Sequence, residues 1–454
     1  MNTGKKDKWI VLTAAIGSIL NPLNTTMITV ALPSIQRDFQ MSSTDISWLI
    51  ASYFIISAIF TPLLGKLSDM YGRKNILFVG FIVVFASTSL APLSPNLPVL
   101  MTLRGIQAIG TSAIFPAAIG VVRRYIQQNQ QRVIGTLTVF ASTSAAFGPT
   151  IGGMLVQFGG WPIIFYVNLP IVVLGFILTL VVIPKDEKSG TASHSLDGLG
   201  IVLFSALVST WMIFLLGLEK GVHVGALLVS LLLTIVFYEY EKRREDPFIN
   251  VRFFRKHIHV ALIYVQYILA TVIFFAVLLT FPSFMQHVLK TTSQLAGYVM
   301  LSLSLFAMFM TPIATRWMER VGFRIPLSIG VLLGLIGTVL LYTVHDHSSL
   351  LWIGCVIAVT GISNGILNIG LQNLLYSFIS VSESGIASGL LMTSRFIGNI
   401  LASSIFGVVF ASGMGVGNMN TLAFVLVIVA IILVPGMIYV TASRRKEGVA
   451  RGER

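Results

Sequence analysis

The sequence predicts an all-α polytopic membrane protein, and three observations carry that prediction. The chain is 55% hydrophobic over 454 residues with a mean hydropathy of +0.87, too apolar for a soluble chain of two or three domains. Its apolar residues fall in runs of roughly 20 with few or no charges, the length that crosses a hydrocarbon core as a helix. The roughly ten-residue alternating segments of a membrane barrel are missing from the sequence.

Fourteen such runs read as spans. Lys5, Lys6 and Lys8 precede the first, at 9–31. It is longer than the apolar core of a signal peptide and ends without a small-x-small cleavage site, so it reads as an uncleaved span. Asp45 opens the second, at 46–64, and the stretch Gly65-Lys-Leu-Ser-Asp69-Met-Tyr-Gly72-Arg73-Lys74 packs two glycines, a carboxylate and three cations into ten residues. That composition reads as a tight turn at a membrane surface. The next four runs are 75–93, 99–121, 133–157 and 162–183; a polar connection then leads to 197–216, which Asp197 opens, and to 222–238. The longest connection, 239–258, mixes charge with Phe248, Phe253 and Phe254 and reads as an amphipathic segment at the interface. The last six runs are 259–285, 295–315, 325–344, 350–377, 386–410 and 420–442.

Charge fixes the sidedness of these spans. With the N-terminus inside, the inner segments hold 25 of the 30 Lys and Arg, and the outer loops hold only Arg37, Lys220 and Lys290. Arg104 and Arg395 lie inside spans. A missed or invented helix would swap the side of every later loop and destroy this asymmetry. Both termini are therefore placed in the cytoplasm, and the net charge of +13 is accounted for without a nucleic-acid partner. The single cysteine, Cys355, excludes an intramolecular disulfide.

The chain also repeats itself. A shift of 250 residues places Pro62 on Pro312, Asp69 on Glu319, Gly72 on Gly322 and Lys74 on Arg324. A displacement of eight helices among fourteen predicts two six-helix bundles, 1–190 and 246–454, with a two-helix insertion at 191–245. Parallel halves of this kind are characteristic of one large class of secondary transporters.

Four motifs resemble the major facilitator superfamily, and within it the fourteen-span drug:proton antiporters. Gly65 to Lys74 matches the superfamily loop signature G-x-L-[SA]-D-x-x-G-R-[RK] at every defined position. Glycine permits the turn, and Asp69 with Arg73 or Lys74 can pair with nearby helix ends as an inner gate. Leu103-Arg104-Gly-Ile-Gln107-Ala-Ile-Gly110 is similar to the family's R-x-x-Q-G, with Ala108 in place of a glycine. An intramembrane Arg104 has to face a partner, a wet cavity or the outer interface. Gly148-Pro149-Thr150-Ile151-Gly152-Gly153 matches the antiporter motif G-P-x-x-G-G, which in the superfamily accompanies export; the same residues also suit close helix packing. Leu23-Asn24-Thr-Thr-Met-Ile-Thr-Val-Ala-Leu-Pro33 resembles the span-1 motif of the fourteen-span group, but Asn24 stands where the family has aspartate. Asparagine does not exchange a proton, so that role does not carry over.

None of the seventeen carboxylates falls mid-span. Two readings of Asp45 stay open: it replaces the missing span-1 aspartate by pairing with Arg104 and exchanging protons, or it caps span 2 in Ser-Ser-Thr-Asp. His257, His259 and His287 offer a second proton route. The resemblance places the substrate cavity between spans 1 and 4 and spans 9 and 12, where Asn21, Asn24 and Gln107 oppose Gln266, Asn364, Asn368 and Gln372. Abundant Phe and Met suit lipophilic cations or zwitterions. The expected function is a monomeric proton-coupled exporter of small-molecule drugs in the lipid bilayer of a bacterial inner (cell) membrane, working by alternating access. A narrow-specificity antiporter for a tetracycline-like compound or a metabolite is the alternative, and a non-transporting sensor a further one. The sequence shows no nucleophile–base pair and no metal cluster, so no enzyme activity, cofactor or metal is expected.

Overall fold

The computed structural model describes residues 3–126, 130–184, 197–217, 223–245, 247–249, 251–252, 258–379 and 384–450. Among them, all regular structure is helical. The long helices are α1 Thr3–Phe39, α2 Ser43–Tyr71, α3 Arg73–Leu90, α4 Leu97–Tyr125, α5 Gln130–Gly159, α6 Asn168–Val182, α7 Gly198–Gly217, α8 Val224–Arg243, α9 Ile258–His287, α10 Ser293–Val321, α11 Arg324–Leu340, α12 Leu350–Phe378, α13 Ser384–Val409 and α14 Val416–Ala450. Among the described residues, thirteen helices are long and apolar enough to cross a membrane, and α5, with 30 residues, stands where the fifth run predicts a span.

The 250-residue repeat is written into the local structure. Ser42 caps α2, its hydroxyl accepting from the Asp45 N–H, and Thr292 caps α10 in the same way by accepting from Leu295. Gly72 joins α2 to α3 at φ 99°, and Gly322 follows α10 at φ 77°. Both are left-handed positions that favour glycine. A single 3₁₀ turn closes α3 at Ala91–Leu93 and α11 at Leu341–Thr343.

Packing follows the same shift of eight helices. In the first bundle α1 lies on α4, α5 and α6, α2 on α4, and α3 on α4 and α6; in the second, α9 lies on α12, α13 and α14, α10 on α12, and α11 on α12 and α14. The bundles meet along two related seams, α5 with α10 and α2 with α13, and through α1 with α9. Phe54 of α2 stands at the middle of the contact, edge-on to Phe275 of α9 at 5.2 Å and 6.1 Å from Phe396 of α13.

Of the thirteen helices apolar enough to span among the described residues, α9 is the most enclosed, with 72% of its apolar window buried inside the protein; for α7 and α8 the figures are 18% and 17%. A helix apolar all round is either a core helix or a lipid-facing one, and these numbers separate the two cases. The pair α7–α8 pack on each other at the periphery, and α7 rests on both α2 and α13. The inserted pair thus sits across one of the two seams.

Candidate functional site

The inner motif is built around one residue of turn. Gly72 alone separates α2 from α3, so Arg73 and Lys74 start α3 and reach sideways. An Arg73 guanidinium N–H donates to the Gly120 carbonyl of α4. A Cβ at Gly120 would lie 2.8 Å from Arg73 Nε, so a larger residue there would displace the guanidinium. Lys74 Nζ donates to Leu180 O at 2.9 Å and Ile183 O at 2.5 Å, satisfying carbonyls at the C-terminus of α6, where the helix dipole favours a cation. These bonds tie α3 to helices of its own bundle. The Asp69 side chain lies outside the described residues. In the repeat, Gly322 keeps the turn, Glu319 and Arg324 are exposed, and Gly370, the counterpart of Gly120, packs on Met318 and Leu327.

The export motif holds the opposite, outer half of the protein. Gly148 and Gly152 of α5 press on Thr26 and Met27 of α1, while Gly153 abuts Ser293 and Gly297 of α10. Thr150 Oγ1 donates to Gly297 O at 2.9 Å in a buried bond. Nearby, Gln286 of α9 donates to Val30 O of α1 at 3.0 Å. At this end the bundles meet along α5–α10, where the Gly153 and Gly297 backbones come close, and along α1–α9, where the Gln286 side chain bridges to Val30. Pro149 frees a turn of α5 from its ladder at the same place.

Arg104 of α4 is 2% exposed. It donates to Gln107 Oε1 at 2.7 Å, and Gln107 passes a bond on to Thr88 Oγ1 at 2.9 Å. Its guanidinium carbon stands 4.4 Å over the Tyr53 ring, and the Tyr53 hydroxyl pairs with Thr111 at 2.9 Å. Arg104 Nε is buried without a partner, at the edge of a small void lined by Thr25, Ile28, Thr29, Ile50, Tyr53 and Phe54. Among the described residues no carboxylate lies within ion-pair distance of Arg104.

This corrects the pairing of Asp45 with Arg104. Asp45 Oδ2 accepts the Ser42 N–H at 2.9 Å and the Ser42 hydroxyl at 2.8 Å, completing a capping box at the start of α2. The carboxylate is spent on the helix end. Asn24 is also turned away from the cleft: its Oδ1 accepts from Asn168 Nδ2 of α6 at 3.0 Å inside the first bundle, and Asn24 is 4% exposed. A neutral amide suits that buried partner, whereas an aspartate there would bury a charge.

The remaining polar cavity residues divide. Gln266 of α9 packs against Gly436 of α14 inside the second bundle, so it is not a cavity residue either. Asn368 of α12 donates to the Tyr267 hydroxyl at 3.2 Å, and Arg395 of α13 acts on the same buried tyrosine. Asn21, Asn364 and Gln372 are half-buried on α1 and α12. Of the histidines, His287 bonds Ser283 O at 3.0 Å and His259 lies between the rings of Phe378 and Tyr439; His257 lies outside the described residues. Sequence reasoning passed over Phe54, the aromatic wedge between the bundles, and Gly297, which the export motif needs as its partner. The 250-residue shift does not flag either, since neither has an identical counterpart.

The sequence profile of the Major Facilitator Superfamily matches residues 14–403 and again 263–453. The chain belongs to this superfamily. It is 37% identical over 429 residues to the uncharacterized MFS-type transporter YwoD of Bacillus subtilis, covering 93% of this chain and 95% of that one. It is 27% identical over 418 residues to the multidrug resistance protein Stp of Mycobacterium tuberculosis, covering 88% of this chain and 75% of that one. The fold is shared with the crystal structure of the nucleoside transporter NupG, at a TM-score of 0.67 and 13% identity over 95% of this chain and 99% of that one. As a superfamily member the chain is a multi-pass membrane transporter, and the eight-helix shift in its packing is the superfamily's two-bundle plan carrying an inserted pair.

Proposed function

We propose that this transporter is a proton-coupled antiporter that exports lipophilic, cationic or zwitterionic drugs across the cell membrane by alternating access. One observation carries the reading: the two bundles meet at a glycine contact, Gly153 of α5 on Gly297 of α10, which separates without unthreading side chains. A relative named for multidrug resistance supports export as the direction. In this reading the bundles 1–190 and 246–454 rock about the Phe54 contact, the pair within 191–245 rides on the α2–α13 seam, both termini face the cytoplasm, and a monomer suffices. Drug efflux from vesicles under an imposed pH gradient tests it. Efflux that ignores the gradient would remove proton coupling.

A narrow-specificity antiporter is the second reading, and Arg104 favours it. A buried guanidinium with an unpartnered Nε and no carboxylate nearby suits one class of compound bearing an acidic group. If only acidic compounds compete with dye efflux, this second reading replaces the first.

A further inference from the structure

At the inner ends of α7 and α8 two carboxylates are buried together with too few partners. Asp197 caps α7: its Oδ1 accepts the Gly200 N–H at 3.0 Å and the Tyr240 hydroxyl at 2.7 Å, and an Arg244 nitrogen stands 3.8 Å away. Glu241 of α8 accepts the Ile249 N–H on Oε2 at 3.2 Å. The two residues are 3% and 0% exposed. Among the described residues, Asp197 Oδ2 and Glu241 Oε1 have no hydrogen-bond partner and are buried. Both oxygens aim at one spot, because a methyl group placed on Gly200 would collide with each of them. Glycine at position 200 is what lets them converge.

Two carboxylates that converge out of water resist ionising together. A proton on Glu241 relieves the conflict, because its orphan Oε1 then carries an O–H on the side where Asp197 Oδ2 also lies. Among the described residues, these charged and titratable groups act on the pair. Tyr240 and Arg244 face Asp197, and Lys66 of α2, inside the inner motif, acts on Glu241 together with Asp197. α13 also packs on α7.

We propose that Asp197 and Glu241 form a one-proton dyad, the proton-binding site of the inserted helix pair, standing in for the carboxylate that Asn24 lacks. It rests on the antiport reading and gives that reading its titratable group. The proton binds one carboxylate oxygen and leaves from it, with no other bond made or broken. Because α7 packs on both α2 and α13, the change of charge falls beside their seam.

The test uses the full chain in lipid vesicles. Infrared difference spectra recorded while pH is lowered should show a protonated-carboxyl band that is lost in Glu241→Gln and in Asp197→Asn. The amide introduced by Glu241→Gln can donate an N–H to Asp197 Oδ2, so this variant mimics the occupied dyad and should melt no lower than wild type. Its dye exchange without a pH gradient should persist, while its response to an imposed gradient falls about tenfold or more. A band unchanged in both variants, or a full gradient response in Glu241→Gln, overturns the dyad. Loss of the band on adding sodium at constant pH also overturns it, in favour of a metal cation. A wild type with the band but no gradient response keeps the dyad and refutes antiport.

Discussion

Gly153 of α5 and Gly297 of α10 touch across the two bundles: a Cβ on Gly297 would stand 3.3 Å from the Gly153 Cα and 2.7 Å from the Pro149 carbonyl oxygen. There is no room there for a side chain. Overpacking a tight contact costs about 1–3 kcal/mol, enough to shift a two-state equilibrium by about tenfold. Gly297→Val should therefore hold the outer seam apart, cut export by about tenfold, and make a cysteine placed at Thr150 reactive from outside. Unchanged export together with an unlabelled Thr150→Cys would show that this contact does not gate the outer side.

Arg104 is held by geometry that lysine does not reproduce. Arg104→Lys loses the stacked, planar group over Tyr53 and the directed bond to Gln107, and it should lower transport about tenfold while the protein still inserts. Tyr53→Phe keeps the ring and gives up only the Thr111 bond, worth about 1 kcal/mol. Initial rates of dye efflux compared at matched expression decide; equal rates for Arg104→Lys and wild type would make the arginine a packing residue.

Asp45 belongs to a helix end. Asp45→Ala should lower thermal stability by about 1 kcal/mol through the lost capping box, and Asp45→Asn should leave proton coupling intact. Drug-driven proton uptake in vesicles reads the coupling and a melting curve reads the cap. Loss of coupling without loss of stability in Asp45→Asn would restore Asp45 as a proton carrier.

Gly120 makes space for Arg73. Gly120→Leu should displace the guanidinium from the α4 carbonyl, leave that inner turn unsatisfied, and destabilise the first bundle by about 1–3 kcal/mol. Arg73→Gln in the same background should add little further loss, because the contact is already broken. Fully additive losses in that double-mutant cycle would separate the two residues.

Much of the plan was legible in the chain. The long apolar helices follow from run length, a property of sequence alone: thirteen of them qualify as spans among the described residues, and α5 stands at the fifth predicted run. The repeat, read from Pro62, Gly72 and their partners 250 residues on, reappears in helix caps, left-handed glycines and packing order. The site was less legible. Asn24, Gln107 and Gln266 are polar residues in apolar helices and look alike in sequence, yet Asn24 turns to Asn168, Gln107 to Arg104 and Thr88, and Gln266 to Gly436.

The sequence by itself determined the class of machine, its run of long apolar helices, and the glycines that allow close approach. Only the tertiary structure decided who meets whom: Gly153 with Gly297, Asp45 with Ser42 in place of Arg104, and Asp197 with Glu241 over Gly200. The physical reason is that hydropathy records whether a residue prefers lipid or water. It carries no record of helix rotation, and rotation sets which polar group finds a partner and which carboxylate is left wanting a proton.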